Sequence, residues 1–475
     1  MSFGRAASRL LPILILLVLG LQVGTADAAP HNMLLGFGDI KYASPKEAVR
    51  RDALDKTVAV DGDIVRVNAG WGLIAPDEKT PSFDPRDPAS PEYDWSRLDA
   101  AVQDASDRGL QILLLVQNAP TWAEGKNRPP DAFPGIWKPS PKALGDFATA
   151  LARRYSGTFE GLPRVRYFEC WGEANLKVRL APLWGGKDGK KPIVVDRYRK
   201  MLNAFYKGIH SAVKSNVVVT AALSPYGAQP GLVNVRPLQF WRPLLCVKDN
   251  KQLSPVRHCK KVHFDVLAHN PIGHGPPGTK AVDHDDISVP DLHRLVDVLR
   301  ASEKAHNVKP AVRHPVWATE LWWESRPPDP YKGNPGLMKQ AAWYTKANYM
   351  LWRQGASLSL LLQVIDLPYN GTPGRGDDNL QTGVYFEDGT PKPSATAMRF
   401  PFLVDSRKDG KVVVWGKSPA SGTLAVTEKG KSKPVERFHV RADRIFLHKI
   451  RLGGKHKRQL RAEVGAEKSL YWTVR

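Results

Sequence analysis

The chain has 475 residues, of which 42% are apolar, and it carries a formal charge of +22 at neutral pH. This length and apolar content suffice for one large buried core with a small extra domain. After the N-terminal segment, no run is long and apolar enough to span a membrane. No nucleic-acid-binding motif accompanies the positive charge, so we expect no nucleic-acid partner.

The positive charge is concentrated at the C-terminal end. Residues 404–475 hold 18 Lys and Arg against 7 Asp and Glu, a net charge of +11. A dense positive surface favours an anionic partner, for example an acidic cell-wall polymer. General solubility explains the same charge equally well, so both interpretations stay open.

The N-terminus has the pattern of a signal peptide. Arg5 and Arg9 precede an apolar run over residues 10–21, and small residues follow at Ala26 and Ala28. The apolar run is shorter than the roughly 20 residues that span a bilayer. We predict a signal peptide over residues 1–29 and a secreted or cell-envelope protein, with an uncleaved membrane anchor as the alternative.

Buried β-type runs then alternate with segments of helical spacing. Predicted strands cover residues 32–39, 63–68, 110–117, 165–171, 217–223, 261–269, 315–320 and 358–366. Predicted helices cover residues 46–54, 95–105, 141–155, 196–215, 291–306 and 337–354. Eight such repeats predict a (β/α)8 TIM barrel over residues 30–402. No G-x-G-x-x-G follows the first strand, which disfavours a dinucleotide-binding fold.

The pattern changes near residue 402 to short alternating strands separated by Gly and Lys turns. These strands cover residues 412–415, 422–427, 435–440, 445–450, 460–464 and 469–474. This pattern predicts a small, basic, all-β domain resembling a sandwich over residues 403–475.

Two predicted barrel strands end in a glutamate. The fourth runs into Glu173 and the seventh into Glu320, each flanked by aromatic residues. Because the C-terminal ends of barrel strands form the active-site face, the two carboxylates can converge on one substrate atom. A carboxylate pair is the arrangement that glycoside hydrolysis requires.

These two motifs carry a family resemblance. Trp171-Gly172-Glu173-Ala174-Asn175-Leu176 resembles the Trp-Asn-Glu-Pro-Asn signature of clan A retaining glycoside hydrolases, families 39 and 5 in particular. Ala318-Thr319-Glu320 is similar to their nucleophile strand, and the resemblance covers residues 32–400. It implies that Glu173 is the acid/base and that Glu320 is the nucleophile. The sequence shows no metal-ligand spacing, so we expect no metal and no cofactor.

Gly172 departs from the family signature. The family has Asn at this position, where it binds the 2-hydroxyl of the sugar and strengthens that bond in the transition state. Asn175, Asn118 or a water molecule could replace this group. Its loss is also compatible with a weakened or transglycosylating enzyme.

Further residues at the strand ends are candidates for substrate binding. Arg66 is expected to pair with Glu320 and keep it ionised, or to form an ion pair on the barrel floor. The resemblance places His269 near the nucleophile, although a buried structural role explains it equally well. The predicted set is Arg66, Trp71, Asn118, Trp122, Asn175, His269, Trp322 and Gln363. The Trp residues suit stacking on sugar rings, and Gln363 stands where the clan often has Trp.

Three cysteines are present, and export permits a disulfide. Cys246 and Cys259 close a short polar loop, so we expect them to pair, and we expect Cys170 to be a buried free thiol. His284 with its neighbouring aspartates, and residues 374–378, lack recognised ligand spacing and are interpreted as solvated loops.

Together these observations predict a secreted retaining glycoside hydrolase that acts on a poly- or oligosaccharide. The alternative is a cell-envelope glycan-binding protein on the same barrel that is catalytically weakened or transglycosylating. The intact glutamate pair favours the enzyme, whereas Gly172 and the basic C-terminal region favour the alternative.

Overall fold

The computed structural model describes residues 29–30, 32–229, 231, 233–273, 275–372, 380–406, 410–452 and 457–474. The predicted signal segment, up to residue 28, lies outside these residues. Within the described part of the chain, no helix is both long enough and apolar enough to cross a membrane.

Eight parallel strands form the barrel, as predicted. They are β1 (Leu34–Gly38), β2 (Ile64–Gly70), β3 (Gln111–Gln117), β4 (Tyr167–Cys170), β5 (Val217–Val219), β6 (Leu267–His269), β7 (Val316–Leu321) and β8 (Ala356–Leu362). The hydrogen-bonded order is β5-β4-β3-β2-β1-β8-β7-β6. Parallel bridges from Val219 to Val266 and from Leu223 to His269 join β5 to β6 and nearly close the barrel.

The predicted sixth strand is divided in two. Residues Val262–His263 pair with Val308–Lys309 outside the barrel, and only Leu267–His269 joins the barrel sheet. Asp265 lies between the two pieces, where its Oδ2 accepts a hydrogen bond from the Val218 backbone N–H at 2.7 Å. The Asp265 side chain thus binds a backbone N–H of β5 that a strand would otherwise use, and the predicted sixth strand is interrupted there.

Helices surround the barrel on its outer face. They are α1 (Glu47–Ala59), α2 (Trp71–Ile74), α3 (Ser96–Asp107), α4 (Pro141–Arg154), α5 (Val194–Ala212), α6 (Pro237–Leu244), α7 (Leu292–Lys304), α8 (Leu337–Arg353) and α9 (Pro393–Arg399). The helix α4 shows why these segments start where they do: the Ser140 side chain caps the Ala143 N–H, and Pro141 occupies the first turn. The helix α6 was not predicted, because it lies inside a long insertion.

The inside of the barrel changes from apolar to charged along its axis. Its floor is an apolar cluster in which Tyr167 and Trp317 pack edge to face, with ring centroids 5.3 Å apart. Within this interior, Arg66 of β2 forms an ion pair with Glu169 of β4. The ends of β4 and β7 then carry Glu173 and Glu320. The apolar floor and the ion pair therefore give the carboxylates a rigid base.

The C-terminal region is a separate antiparallel all-β unit, as predicted. Its strands are β9 (Phe402–Ser406), β10 (Lys411–Ser418), β11 (Gly422–Glu428), β12 (Glu436–Val440), β13 (Arg444–Arg451), β14 (Arg458–Val464), β15 (Glu467–Lys468) and β16 (Trp472–Val474). One sheet has the order β9-β10-β13, and the other has β12-β11-β14 with β15 and β16 both paired to β14. The two sheets enclose their own apolar core, and we propose the domain boundary at residues 402–403.

Aromatic and charged contacts join the two regions. Trp415 of β10 packs against Tyr349 and Trp352 of α8, with ring centroids 5.5 and 6.0 Å apart. Lys417 Nζ lies 3.0 Å from Asp63 Oδ1 and 3.7 Å from Asp61 Oδ2. Because Lys417 is almost fully buried, this ion-pair cluster ties the β-region to the segment that enters β2.

The predicted disulfide is confirmed: Cys246 and Cys259 are bonded, with their Cα atoms 5.8 Å apart. Cys170 is a buried free thiol, also as predicted, and burial raises its pKa well above the ordinary value. A raised thiol pKa removes the thiolate, so Cys170 is not a nucleophile at neutral pH.

Candidate active site

Glu173 and Glu320 converge on a single amide. Asn270, which follows β6, donates from Nδ2 to Glu173 Oε1 at 3.3 Å and to Glu320 Oε2 at 3.5 Å. Thr319 Oγ1 donates to Asn270 Oδ1 at 3.1 Å and so fixes which end of the amide faces the carboxylates. Since both carboxylate oxygens contact one nitrogen, they lie within about 7 Å of each other.

The chain bends sharply where it presents Glu173. Trp171 and Glu173 have positive φ values of 73° and 42°. Residues other than Gly and Asn rarely adopt this region of backbone conformation. The Trp171 N–H donates to Val116 O at 2.8 Å, and the Glu173 N–H donates to Ala222 O at 3.0 Å. These bonds to the strands on either side hold the strained turn, as is common at functional sites.

Arg66 binds a different glutamate from the one expected. Its Nε and Nη2 donate to Glu169 Oε2 and Oε1 at 2.7 and 2.8 Å, a bidentate pair. Its Nη1 lies 3.7 Å from Glu320 Oε2. Arg66 therefore forms the ion pair in the barrel interior and also attracts Glu320, from beyond hydrogen-bonding distance.

The pKa of Glu320 is raised to about 7, because the group is buried and because Glu173 lies nearby. Arg66, Arg179 and the hydrogen bond from Trp322 pull the pKa down but do not offset these two effects. Arg66 acts against this rise in the pKa, and its role in keeping Glu320 ionised stays a prediction. The two carboxyl groups act as a coupled pair that holds a proton near neutral pH.

The two glutamates line a pocket of about 160 Å³ that opens at the C-terminal ends of the strands. Gln117 of β3 lies opposite Gly172, and a Cβ atom at position 172 would approach Gln117 Oε1 to 3.0 Å. Asp39 also lines the pocket, but its oxygens accept hydrogen bonds from the backbone N–H groups of Lys41, Val364 and Ile365. The Gln117 amide therefore occupies the side of the pocket that a larger residue at 172 would fill.

Three of the predicted residues, Glu173, Glu320 and Arg66, line this pocket, and a fourth, Trp322, contacts Glu320. Trp322 Nε1 donates to Glu320 Oε1 at 3.3 Å, and its ring is half-buried. Asn118 is exposed just after β3, with a positive φ of 59°, and Trp122 is half-buried, with its Nε1 donating to Pro76 O. Trp322, Asn118 and Trp122 are not among the residues that line the pocket.

The remaining four predicted residues are buried away from the pocket. Trp71 stacks on Phe147 in the core. Asn175 donates to Ser224 O and Val235 O, and so braces the loop after β4. Gln363 donates to Leu380 O. As substrate ligands these residues stay predictions, but their contacts are those of structural groups.

His269 is also fully buried, and its Nε2 donates to Ile287 O at 2.9 Å. Burial lowers the pKa of His269 to about 4, so the imidazole is neutral near pH 7. It does not lie among the residues that line the pocket; its neighbour Asn270 contacts both glutamates instead.

Three contributors were absent from the predicted set: Asn270, Glu169 and Arg179. Glu169 precedes Glu173 by four residues, so strand alternation places it on the inward face, where a charged residue requires a partner. Asn270 directly follows His269 at the end of a strand. Arg179 lies in a loop, and no pattern in the sequence points to it.

A group of possible metal ligands lies elsewhere, at Asp249, His284 and Asp285. Arg242 Nη2 donates to Asp249 Oδ2 at 2.9 Å and to Asp285 Oδ1 at 2.5 Å. The guanidinium thus already neutralises the two carboxylates that a cation would need. The second acidic loop considered above, residues 374–378, lies outside the described residues.

No protein-family model matches the sequence, and comparison with curated proteins gives no match. Among solved structures, the chain is similar to a family 39 glycoside hydrolase from the gut symbiont Bacteroides cellulosilyticus WH2. The TM-score is 0.52 at 13% identity, over 88% of this chain and 81% of that one. It is also similar to a glucosidase from Croceicoccus marinus, with a TM-score of 0.50 at 13% identity, over 89% and 94%. At this identity the similarity shows the shared barrel fold, and the chemistry has to be argued from the site.

Proposed function

We propose that this protein is a retaining glycoside hydrolase that cleaves O-glycosidic bonds of a poly- or oligosaccharide by double displacement. The observation that carries the proposal is the pair Glu173 and Glu320, which lie at the ends of β4 and β7 and are bridged by Asn270. Retaining enzymes hold their two carboxyl groups about 5–5.5 Å apart, which fits two oxygens that share one amide nitrogen. The barrel shared with two solved glycosidases supports the same assignment.

In the first step, an ionised Glu320 attacks the anomeric carbon and forms a glycosyl ester. The bond from that carbon to the leaving oxygen breaks, and this oxygen takes the proton held by Glu173. In the second step, a water molecule attacks the same carbon and gives a proton to Glu173. The ester bond then breaks, which restores the Glu320 carboxylate.

The coupled titration of the pair suits this division of labour. The pKa of Glu320 near 7 means that the resting pair binds a proton at neutral pH. Productive substrate binding requires that proton on Glu173, and Trp322 and Arg66 favour this state because each stabilises a negative Glu320. Asn270 donates to both groups and fixes their separation.

The setting of the enzyme is also part of the proposal. The signal-peptide pattern and the disulfide between Cys246 and Cys259 suit a secreted or cell-envelope protein. The basic region over residues 403–475 suits contact with an anionic wall polymer. Contact between this basic region and the wall polymer would keep the barrel near a polysaccharide substrate.

The test is hydrolysis of aryl β-glycosides (gluco, xylo, galacto, manno and arabino) by the wild type, Glu320→Ala and Glu173→Ala. We expect Glu320→Ala to lose at least about 10⁴-fold in kcat/KM. Glu387→Ala is the matched control, because Glu387 is an exposed glutamate remote from the pocket. Activity that survives in Glu320→Ala would contradict the assignment.

Added azide assigns the two roles separately. In Glu173→Ala, azide can attack the glycosyl ester, so the product keeps the substrate configuration. In Glu320→Ala, azide replaces the nucleophile, and one displacement inverts the configuration. Identical products from both variants would contradict the proposed roles, and so would an inverted sugar from the wild type, as determined by NMR.

A further inference from the structure

Arg179 is a charged residue of the pocket that the mechanism above does not use. It lies in the loop after β4, and its side chain is 44% exposed where it lines the pocket. Its Nε is 4.0 Å from Glu173 Oε2, which is beyond hydrogen-bonding distance. The guanidinium therefore faces the space beside the acid/base with donors available to a ligand.

The loop holds Arg179 in this position. Trp171 Nε1 donates to Arg179 O at 2.8 Å, and the Arg179 N–H donates to Leu176 O at 3.0 Å. Trp171 is itself 1% exposed, so the anchor is part of the core. These bonds fix the backbone from which the Arg179 side chain enters the pocket, so the loop itself need not be ordered when a ligand binds.

The other charges of the pocket are already engaged. Arg66 is committed to Glu169 by two hydrogen bonds, and Asp39 faces backbone N–H groups. Arg179 differs from both, because its guanidinium points into the space where the proposed mechanism puts the sugar. Arginine binds carboxylates through two parallel hydrogen bonds, so its natural ligand here is a sugar carboxylate.

We propose that the substrate is an acidic glycan and that Arg179 recognises the carboxylate of a uronic acid at the cleavage site. This inference rests on the proposed glycosidase function. The carboxylate belongs either to the sugar whose bond is cleaved or to the sugar on the leaving side. Arg179 lies next to Glu173, which protonates the leaving oxygen, and both positions are within its reach.

Two substrate pairs distinguish these sources. Aryl β-glucuronide against aryl β-glucoside tests the cleaved sugar, and disaccharides with a uronic acid or a neutral sugar at the leaving position test the other. The quantity is the ratio of kcat/KM for the acidic substrate to that for the neutral one. We expect Arg179→Gln to lower this ratio about 10- to 100-fold for one of the two substrate pairs. The ratio for Arg179→Lys should lie between those of the wild type and Arg179→Gln.

Lys177→Gln is the matched control, since it removes one positive charge from the same loop, outside the lining of this pocket. We expect it to leave the ratio unchanged. Hydrolysis of neutral substrates with a ratio insensitive to Arg179 would overturn the acidic-glycan inference and leave the glycosidase standing. Equal losses on acidic and neutral substrates would overturn it too, because Arg179 would then only tune Glu173.

A calorimetric titration of wild type and Arg179→Gln with glucuronate and with glucose separates this inference from the proposed function. Glucuronate binding that Arg179→Gln abolishes would support the acidic-ligand site even if no substrate were hydrolysed. Equal affinity for glucuronate and glucose in both proteins would contradict it.

Discussion

Two clusters among the described residues each place one buried cation next to three carboxylates. Between the barrel and the β-region, Lys417 lies near Asp61, Asp63 and Asp443. Inside the barrel, Arg66 contacts Glu169 and Glu320, and the charge of Glu173 also acts on it. Lys417 and Arg66 are both well shielded, with side-chain exposures of 2% and 9%.

The clusters differ in what holds their carboxylates. Asp63 accepts hydrogen bonds from Lys417 and from the Leu35 N–H, so both of its oxygens are used by the fold. Arg66 instead donates its two short hydrogen bonds to Glu169. Its Nη1 lies 3.7 Å from Glu320 Oε2, and Glu320 faces the open pocket. A buried charge therefore does not by itself indicate an active site. An active site is indicated by a carboxylate that is only partly neutralised and still accessible to a ligand.

The largest expected effect on stability comes from breaking the structural cluster. Lys417→Met leaves the half-buried Asp61 and Asp63 without their cation, and partial burial already raises the pKa of Asp61 to about 6. We expect a loss of about 3–5 kcal/mol in the free energy of unfolding, measured by denaturant titration at pH 7. Lys411→Met on the same strand is the control, because Lys411 is exposed.

Hydrolytic activity of the folded Lys417→Met protein should match the wild type, since Lys417 is not among the residues that line the pocket. A large loss of activity without a loss of stability would mean that the two clusters are not functionally distinct.

Breaking the pocket cluster should have the opposite effect on stability. The pKa of Glu320 is about 7 in the folded protein against an ordinary value near 4.5, so folding favours its protonated form. Its unfavourable contribution therefore appears as pH rises from about 4.5 to 7 and is complete above 7. We expect Glu320→Gln to be more stable than wild type by about 1–3 kcal/mol at pH 8.

The same comparison at pH 4.5 should show only a small difference, because Glu320 is then protonated in the folded state and about half ionised in the unfolded state. Thermal unfolding at the two pH values measures the effect. An equal change at both would indicate altered packing instead of relieved charge.

The coupling between the two glutamates predicts a change in the pH profile. Glu173 is the second cause of the raised pKa of Glu320, after burial. The active form keeps its proton on Glu173, so Glu173→Gln, which has no proton to lose, should keep the acid limb of kcat/KM and remove the basic limb.

An aryl glycoside with a good leaving group is the substrate for this profile, because its departure does not require the missing acid. A basic limb that persists in Glu173→Gln would mean that this limb reports a group other than the glutamate pair.

Periodic features made the fold predictable from the sequence. Eight buried strands alternating with helices predicted the barrel, and short alternating strands predicted the β-region after residue 402. The glutamates were predictable because strand ends define the active-site face. The sixth strand was predicted too long, because a single Asp265 side chain replaces part of its ladder and periodicity carries no such signal.

The supporting residues were harder to predict, because strand position does not specify what a side chain contacts. Asn175 lies in the loop after β4 and His269 ends β6, yet both are bonded to backbone carbonyl groups in the interior. Arg179 contributes from a loop whose path depends on the Trp171 anchor. These contacts join residues across different elements, and only the folded structure brings them together.

The smallest effect concerns Gly172, the position that departs from the family signature. The Gln117 amide lies in the space that a side chain at position 172 would enter. Its Oε1 is 3.0 Å from where the Cβ atom of that side chain would be. We expect Gln117 to supply the amide that the signature places at 172, so Gln117→Ala should lower kcat/KM about 10- to 100-fold. Gly172→Asn alone should cost about 1–2 kcal/mol of stability, because the pocket is overpacked.

Combining the two changes tests the exchange. In Gln117→Ala the space opposite residue 172 is free, so adding Gly172→Asn should recover about tenfold in kcat/KM. Leu115→Ala with Gly172→Asn is the control, because it makes space on the same strand and supplies no vacant amide position. Equal recovery in both double variants would show that Gln117 only fills space. Recovery only in the double variant that contains Gln117→Ala would show that Gln117 of β3 supplies the amide that the family signature places at position 172.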